Sequence, residues 1–335
     1  MSSNEATFPT TRTTRVHAAD GRQRPGAPGI VVGLDIGGSK THGVLWSDGV
    51  LRAESKAGSS NVQNVTLRVA AENLRELFRE LSALAGTGGA VGRVVAGSGG
   101  VDTATDAERL RALIAVEAPA ASIDVVHDTR LILAAGGTRA GIAVIAGTGS
   151  VAWGVAADGK EARSGGWGYL LGDEGSGYWV AREAVRRALH RHDRELGVDA
   201  LDESICQLNN VDSPTELIAL FHSEAGRTYW AAQSSAVFDA ARRGHAGADG
   251  IIDRAAADLT RLVLDVRSVI GVPGPIVLGG GLAVHQAALQ SAVRRRLGDE
   301  GLTDIAFLDQ DPIMGVPFLL QGLRGDTLLR DATHP

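Results

Sequence analysis

Apolar runs and short turns open the chain with a predicted β-meander. Residues 30–35 (IVVGLD) and 41–46 (THGVLW) are apolar runs separated by a glycine turn. A second turn at 47–49 leads into residues 50–55 (VLRAES). Short apolar runs bounded by turn residues predict strands. We therefore expect three consecutive strands from residue 30 onward.

The pattern then changes to alternating helices and strands. Leu, Phe and Ala recur at helical spacing from Ala70 to Leu84, and residues 93–97 (RVVAG) predict a short buried strand. A helix near 104–115, a buried strand IDVVHD ending at Asp128 and a helix from about 131 to 135 follow. The first half thus predicts a mixed sheet with helices packed on it.

The second half restarts the same order of elements. An apolar strand at 141–147 meets a glycine turn at Thr148 and continues into a second strand, VAWGVAA. Helical patterns follow at about 177–191, 213–222, 228–243 and 249–270. PIVLGGGLA at 275–283 then predicts a strand, a glycine turn and a helix to about Leu297, before a last helix around FLLQGL. We interpret the two halves as a duplicated α/β fold.

Composition limits the function without naming it. A chain of 335 residues exceeds the usual size of one domain, so two domains are expected. A net charge of -6 argues against nucleic-acid binding, and no apolar run reaches the roughly 18 residues of a membrane span. A single cysteine, Cys206, excludes an internal disulfide and a cysteine-based metal site, and fits a cytoplasmic protein. Residues 1–28 predict a disordered tail, either inert or a basic contact to an anionic partner.

Asp35 and the glycines after it predict a phosphate and magnesium site. Gly37 and Gly38 allow backbone N–H groups to approach a phosphate, while the Asp35 carboxylate holds Mg²⁺ through water. Lys40 and Thr41 add a cation and a hydroxyl, or are solvated strand residues. The same Asp-x-Gly-Gly pattern also makes a plain hairpin turn.

A second glycine turn repeats this chemistry. Gly147 and Gly149 remove the Cβ atoms that would keep a phosphate from the backbone, and Thr148 and Ser150 offer hydroxyl donors. A single such turn is weak support for nucleotide binding. The pair of turns predicts two loops that clasp the phosphates of one nucleotide.

Asp128 is the candidate general base. It ends a predicted buried strand with no lysine nearby in sequence, so its carboxylate can accept the proton of an attacking hydroxyl. The alternative is a helix N-cap before Thr129. His127 beside it is interpreted as a structural hydrogen-bonding residue.

The segment from Gly166 to Asp173 predicts a sugar site. Trp167 lies between Gly166 and Gly168, and these glycines let its ring and the main chain approach a sugar. Asp173 can accept hydrogen bonds from two hydroxyls. Trp167 as a core residue is the alternative. Glu174 contacts a hydroxyl or supplies negative charge to the next helix.

These motifs together resemble the N-acetylglucosamine kinase and BadF-type ATPase family, within the sugar kinase, heat-shock ATPase and actin superfamily. The resemblance covers roughly residues 30–325. Its motifs are LDIGGSKTHGVL, GSGGVD, VVHDTRLILAAG, IAGTGSVAWG, RSGGWGYLLGDEGSGYW and IVLGGGLA. RSGGWGYLLGDEGSGYW is the most specific of them.

The resemblance implies two actin-like (ribonuclease H-like) lobes, each a mixed sheet with flanking helices, and an active-site cleft between them. The lobes would span 29–136 and 137–311, with a C-terminal helix at 312–330 returning to the first lobe. It also implies transfer of the γ-phosphoryl group of ATP, with Mg²⁺, to a sugar 6-hydroxyl. A homodimer is expected. The residues assigned in this way are Asp128 as the base, Asp35 for magnesium, Gly37, Gly38, Ser39, Lys40, Thr41, Gly147, Thr148, Gly149, Gly279, Gly280 and Gly281 for the nucleotide, and Asn61, Asp128, Ser150, Gly166, Trp167, Gly168 and Asp173 for the sugar.

Two departures bear on the substrate. His127 stands where relatives often have Asn, and Val151 stands where some N-acetylglucosamine kinases carry a polar Asn, which weakens the N-acetyl assignment. N-acetylglucosamine is the first choice of substrate, followed by glucosamine, then N-acetylmuramate or glucose.

Three other functions compete with a sugar kinase. Activators of 2-hydroxyacyl-CoA dehydratases hold an iron-sulfur cluster with two cysteines per chain, which Cys206 alone cannot supply. Repressor-related glucokinases normally carry a zinc-binding Cys/His cluster that this sequence lacks. A non-catalytic sugar sensor would have lost Asp35 or Asp128, and both are present.

Overall fold

The computed structural model describes residues 29–86, 89–101, 103–223 and 226–322. The tail predicted for residues 1–28, Asp102 of the GSGGVD motif, and residues 323–330 of the predicted C-terminal helix lie outside these ranges. The described chain forms two compact units. One comprises the residues up to Leu131 together with those from Pro312, and the other comprises Ile132–Asp311. The domain boundaries predicted from the sequence stay a prediction.

The first unit contains a five-stranded mixed sheet. Its strand order is β3-β2-β1-β4-β5, in which β1, β2 and β3 are antiparallel while β1, β4 and β5 are parallel. The elements are β1 (Ile30–Ile36), β2 (Lys40–Ser47), β3 (Val50–Gly58), α1 (Leu67–Ala85), β4 (Val91–Ser98), α2 (Ala104–Glu117), β5 (Ser122–Val126), the start of α3 (Asp128–Ala135), a 3-10 helix (Pro312–Gly315) and α12 (Val316–Gly322). The predicted opening meander is confirmed.

Helices cover both faces of this sheet. Leu74, Leu77 and Leu81 of α1 are fully buried against one face, as their helical spacing predicts. Ile313 and Val316 pack with residues of β1 and β2 on the other face. Burial on both sides explains why β1 reads as a continuous apolar run.

The second unit repeats this topology. Its strand order is β10-β9-β6-β7-β8, with β6, β7 and β8 antiparallel and β6, β9 and β10 parallel. The elements are β6 (Gly141–Ala146), β7 (Ser150–Val155), β8 (Glu161–Gly165), α4 (Gly177–Asp193), α5 (Ala200–Leu208), α6 (Glu216–Phe221), α7 (Arg227–Gln233), α8 (Ser235–Arg242), α9 (Ala246–Ile270), β9 (Ile276–Gly279), α10 (Gly281–His285), α11 (Ala287–Asp299) and β10 (Ile305–Phe307). The predicted duplication of a mixed sheet with flanking helices is confirmed.

Several predicted elements are wrong in their limits. The predicted helix at 228–243 breaks at Ser234 into α7 and α8, and the helix after the glycines breaks at Gln286, whose backbone is extended. Helix α5 was not predicted, although Asp199 and Asp202 form a capping box that marks its start. The short strands β8 and β10 were also missed, since β8 has five residues without a long apolar side chain and β10 has only three residues.

The environment predicted for Asp128 needs correction. The strand before it ends at Val126, and Asp128 is the first residue of α3. Strand β5 lies at the edge of its sheet, and its residues are half-buried or exposed. An edge strand has a neighbour on one side only, so Asp128 is less enclosed than an apolar run suggests.

No helix among the described residues is long and apolar enough to cross a membrane.

Candidate active site

Two hydrogen bonds hold the first glycine turn. Gly37 N–H donates to Lys40 O at 2.9 Å, and the Ser59 hydroxyl donates to Gly37 O at 2.8 Å. Gly38, Ser39 and Lys40 are exposed. Thr41 is instead fully buried, and its Oγ1 accepts a hydrogen bond from Ser60 N–H at 2.9 Å. This contact is a second link between the turn region and the Ser59–Asn61 segment.

Asp35 lies near the end of the central strand β1. In the sheet register it faces His42 of β2 on one side and Gly97 of β4 on the other. Asp35 is half-buried, whereas the next residue, Ile36, is fully buried. Asp35 therefore lies at the end of β1 that leads into the first glycine turn.

Asn61, the Gly99–Gly100 loop and Asp128 come together in the first unit. A Cβ atom on Gly99 would lie 2.8 Å from Asp128 Oδ2, and one on Gly100 would overlap the Asn61 amide. Asn61 Oδ1 accepts from Gln63 N–H at 2.9 Å, and its Nδ2 makes no hydrogen bond to a described residue. The loop after β4 must be glycine because both polar side chains lie directly against it.

His127 lies against the Asp128 carboxylate but is hydrogen-bonded to Thr129. His127 Nδ1 lies 3.0 Å from Asp128 Oδ1 and 2.8 Å from Thr129 Oγ1. Asp128 Oδ1 is buried, while the side chain as a whole remains 21% exposed. One oxygen is thus enclosed beside an imidazole, and the first turn of α3 favours a negative charge at this position.

In the second unit, the loop Gly147–Ser150 sits at the N-terminus of α4. Gly177 N–H donates to Gly147 O at 2.8 Å, and the side chain of Ser176 caps the helix by accepting from Trp179 N–H at 3.2 Å. The N-terminus of a helix of 17 residues attracts anions. The half-buried Thr148 completes a backbone turn suited to a phosphate.

Asp173 is packed against this same loop. Its Oδ1 accepts from Ser150 N–H at 3.2 Å, and the Ser150 hydroxyl donates to Glu174 O at 2.7 Å. Asp173 is 4% exposed and has a left-handed backbone, with φ of 62°. Burial raises the pKa of the Asp173 carboxyl, and the Ser150 N–H and the Arg227 charge oppose that rise. A buried carboxylate in a strained conformation is typical of a functional site.

Gly149 is expected to tolerate no side chain. A Cβ atom there would lie 2.8 Å from Asp173 Oδ2 and 3.0 Å from its Cγ. Gly149→Ala should therefore lower the free energy of unfolding by about 1–3 kcal/mol, measured by urea denaturation. Gly147→Ala is the matched control, because the nearest atom to its Cβ would be 3.8 Å away. Equal losses in the two variants would contradict the packing of Asp173 on the loop.

The Gly279–Gly281 turn reaches the same loop. Gly279 ends β9, which pairs with β6, and Gly280 has φ of 90°. A Cβ atom on Gly280 would lie 2.6 Å from Ala146 O. The structure thus brings the two glycine turns of the second unit side by side.

The Gly166–Gly168 segment forms an exposed turn after β8. Trp167 is 64% exposed, so the alternative that it belongs to the core is wrong. Gly166 N–H donates to Ser150 O at 2.9 Å, which joins this turn to the second glycine loop. Val151 lies beneath it, with Cγ2 3.0 Å from the position of a Cβ on Gly166.

Sequence reasoning missed three polar side chains near these loops. Ser59 holds the first turn, Arg163 contacts the Trp167 turn, and the charge of Arg227 acts on Asp173. Ser59 lies in the GSSN segment beside Asn61, which offered a weak signal. Arg163 opens the RSGGWGYLLGDEGSGYW motif, which gave it no role, and Arg227 had no signal, because both roles depend on contacts made by the folded chain.

The chain is similar to proteins of one known family. A sequence model of the BadF/BadG/BcrA/BcrD ATPase family matches residues 32–304. An N-acetylmuramic acid/N-acetylglucosamine kinase from Clostridium acetobutylicum is 32% identical over 246 residues, which are 72% of this chain and 79% of the relative. An N-acetyl-D-glucosamine kinase from Dictyostelium discoideum is 26% identical over 310 residues, covering 87% and 97% of the two chains.

Solved structures show the same fold. A candidate N-acetylglucosamine kinase from Chromobacterium violaceum superposes with a TM-score of 0.69 at 24% identity, covering 88% of this chain and 99% of that one. A ROK family glucokinase from Streptomyces griseus gives a TM-score of 0.56 at 14% identity, covering 89% of this chain and 100% of that one. The predicted actin-like fold of sugar kinases is confirmed. Because the family match spans most of the chain and a curated relative exceeds 30% identity, the chain belongs to the BadF/BadG/BcrA/BcrD ATPase family.

Proposed function

We propose that the protein is an ATP-dependent kinase that phosphorylates the 6-hydroxyl of N-acetylglucosamine. The observation that carries the proposal is the grouping of Asp128, Asn61 and the Gly99–Gly100 loop. It places a carboxylate and an amide donor beside backbone that carries no side chain. This is an arrangement that can bind and deprotonate a hydroxyl.

The proposed reaction has one proton transfer and one phosphoryl transfer. The sugar 6-oxygen forms a bond to the γ-phosphorus as the bond between that phosphorus and the β-γ bridging oxygen breaks. The hydroxyl proton passes to the Asp128 carboxylate, and ADP leaves with the bridging oxygen. In such transfers the protein mainly positions the reactants and stabilises charge. Asp128 orients the hydroxyl before it accepts the proton.

The glycine turns are proposed to bind ATP. We assign to the phosphates Gly37, Gly38, Ser39 and Lys40 in the first unit, and Gly147, Thr148 and Gly149 in the second. The fully buried Thr41 instead supports the first turn through its hydrogen bond with Ser60. Gly279, Gly280 and Gly281 are assigned to the adenosine. The α4 N-terminus next to Gly147 supports the assignment, since it favours an anion.

Asp35 is the proposed magnesium residue. Mg²⁺ prefers oxygen ligands and is usually held by one or two carboxylates together with nucleotide phosphates. A half-buried carboxylate at the strand end before the first phosphate turn fits that requirement. When bound, the ion would neutralise charge on the phosphates.

The sugar contacts are proposed to come from Asn61 and Asp128 and, in the second unit, from Ser150, Gly166, Trp167, Gly168 and Asp173. Both curated relatives carry N-acetylglucosamine in their names, which supports this sugar. The Clostridium relative is also named for N-acetylmuramic acid, so N-acetylmuramate is the second candidate. The homodimer and the cytoplasmic location remain predictions from the sequence.

A comparison of four sugars tests the proposal. ADP release should be measured with N-acetylglucosamine, N-acetylmuramate, glucosamine and glucose, together with sugar-free ATP hydrolysis. We expect the highest kcat/KM with N-acetylglucosamine and a 6-phosphate product identified by NMR. ATP hydrolysis at the same rate with and without every sugar would contradict the kinase assignment, whereas a preference for glucosamine would contradict the substrate alone.

A further inference from the structure

Arg163 makes three contacts to the turn that carries Trp167. Its Nη2 donates to Gly166 O at 2.6 Å, and its Nε donates to Gly165 O at 3.1 Å. The guanidinium carbon lies 4.7 Å from the centre of the Trp167 ring, within the range of a cation–π contact. One side chain therefore holds three consecutive residues.

The turn needs such support because of its composition. Gly165, Gly166 and Gly168 all have positive φ, with values of 76°, 72° and 81°. Glycines with these angles have many alternative conformations, so ordering them costs conformational entropy. Trp167 is largely exposed, and among the described residues its indole N–H has no hydrogen-bond partner. The ring orientation thus depends on what lies against its face.

We propose that Arg163 is a positioning residue for the sugar substrate. It fixes the Gly165–Gly168 turn and occupies one face of the Trp167 indole, so that the other face packs on the sugar. The inference rests on the proposed function, since it takes a sugar as the ligand of Trp167. A planar guanidinium can donate to two carbonyls and stack on a ring at once, which an ammonium group cannot do.

Replacing Arg163 with Lys is expected to raise the KM for N-acetylglucosamine about tenfold, while kcat and the KM for ATP change little. The variant keeps the charge and loses the two-pronged hydrogen bonding, so the turn must become ordered when the sugar binds. Steady-state kinetics and calorimetric titration of the sugar without ATP would measure the change. A general loss of stability would not raise the KM for N-acetylglucosamine while leaving the KM for ATP unchanged.

Arg294 provides a matched control in the same unit. Its guanidinium carbon lies 4.7 Å from the Phe307 ring centre, and its Nη1 donates to Ile305 O at 3.0 Å. Arg294→Lys removes the same kind of contact away from the proposed sugar residues. It should leave both KM values unchanged.

A double-mutant cycle with Trp167→Ala tests whether Arg163 acts through the indole. If it does, Arg163→Lys should raise the Kd of the sugar far less in the Trp167→Ala background than in wild type. Additive effects, or equal Kd values for wild type and Arg163→Lys, would overturn the inference. Sugar binding without phosphorylation in wild type would instead contradict the proposed kinase activity, and no sugar binding at all would overturn both.

Discussion

Asp128→Asn should lower kcat for sugar phosphorylation by about 10²–10⁴-fold, the usual effect of losing a general base. Asn has nearly the same shape as Asp but cannot accept the hydroxyl proton. The loss of negative charge in the first turn of α3 should reduce stability by no more than about 1 kcal/mol. Coupled measurement of ADP release, together with urea denaturation, separates the two effects.

Asp124→Asn is the control for this prediction. Asp124 lies in β5, four residues before Asp128, and its Oδ2 accepts from Arg93 Nε at 2.9 Å. Removing this partly exposed ion pair should cost about 0–1 kcal/mol of stability and leave turnover intact. If Asp128→Asn retained wild-type kcat, Asp128 would not be the base. Calorimetric titration of the Asp128→Asn variant with the sugar would show whether the carboxylate also contributes to affinity.

Asp173→Asn is expected to lower kcat/KM for the sugar about 10- to 10²-fold and to raise stability near neutral pH. The first effect follows from replacing a charged hydrogen-bond acceptor, worth about 1.5–3 kcal/mol, by a neutral one. The second follows from burial, because Asn keeps an oxygen for Ser150 N–H without a buried charge. Kinetics and urea denaturation of the same preparations measure both.

The pH dependence of this stability has a definite sign. Burial raises the pKa of the Asp173 carboxyl in the folded protein. The group therefore favours folding below its unfolded pKa of about 4, and this contribution is lost as pH rises through the folded pKa. Asn has no such loss, so the stability of Asp173→Asn relative to wild type should increase from pH 4 to pH 8.

Asp253→Asn should show the opposite trend. Hydrogen bonding to Arg296 lowers the pKa of the Asp253 carboxyl, against its partial desolvation. Its contribution is therefore present above the unfolded pKa and lost in acid, so the Asn variant should lose stability relative to wild type as pH rises. If the stability difference from wild type changed with pH in the same direction for both variants, burial would not raise the pKa of Asp173. Sugar turnover should be unaffected in Asp253→Asn.

Much of the fold was predictable because it depends on local patterns. The spacing of Leu74, Leu77 and Leu81 predicts a buried helix face, and the apolar run at 30–35 predicts a strand. The repeated strand, glycine turn and strand predicts the duplicated topology. Strand β8 and the helix break at Ser234 were not predictable from local patterns, because their sequences have weak periodicity.

The sequence by itself determined the fold class, the family resemblance and the identity of the candidate loops, since periodicity and glycine motifs are properties of neighbouring residues. Only the tertiary structure decided which distant residues meet. It placed Asp173 against Gly149, the Asn61 amide against Gly100, and Arg163 on the ring of Trp167. It also buried Thr41, which looked like a phosphate ligand. Such contacts join residues from different strands and turns, and their distances follow from how the elements pack.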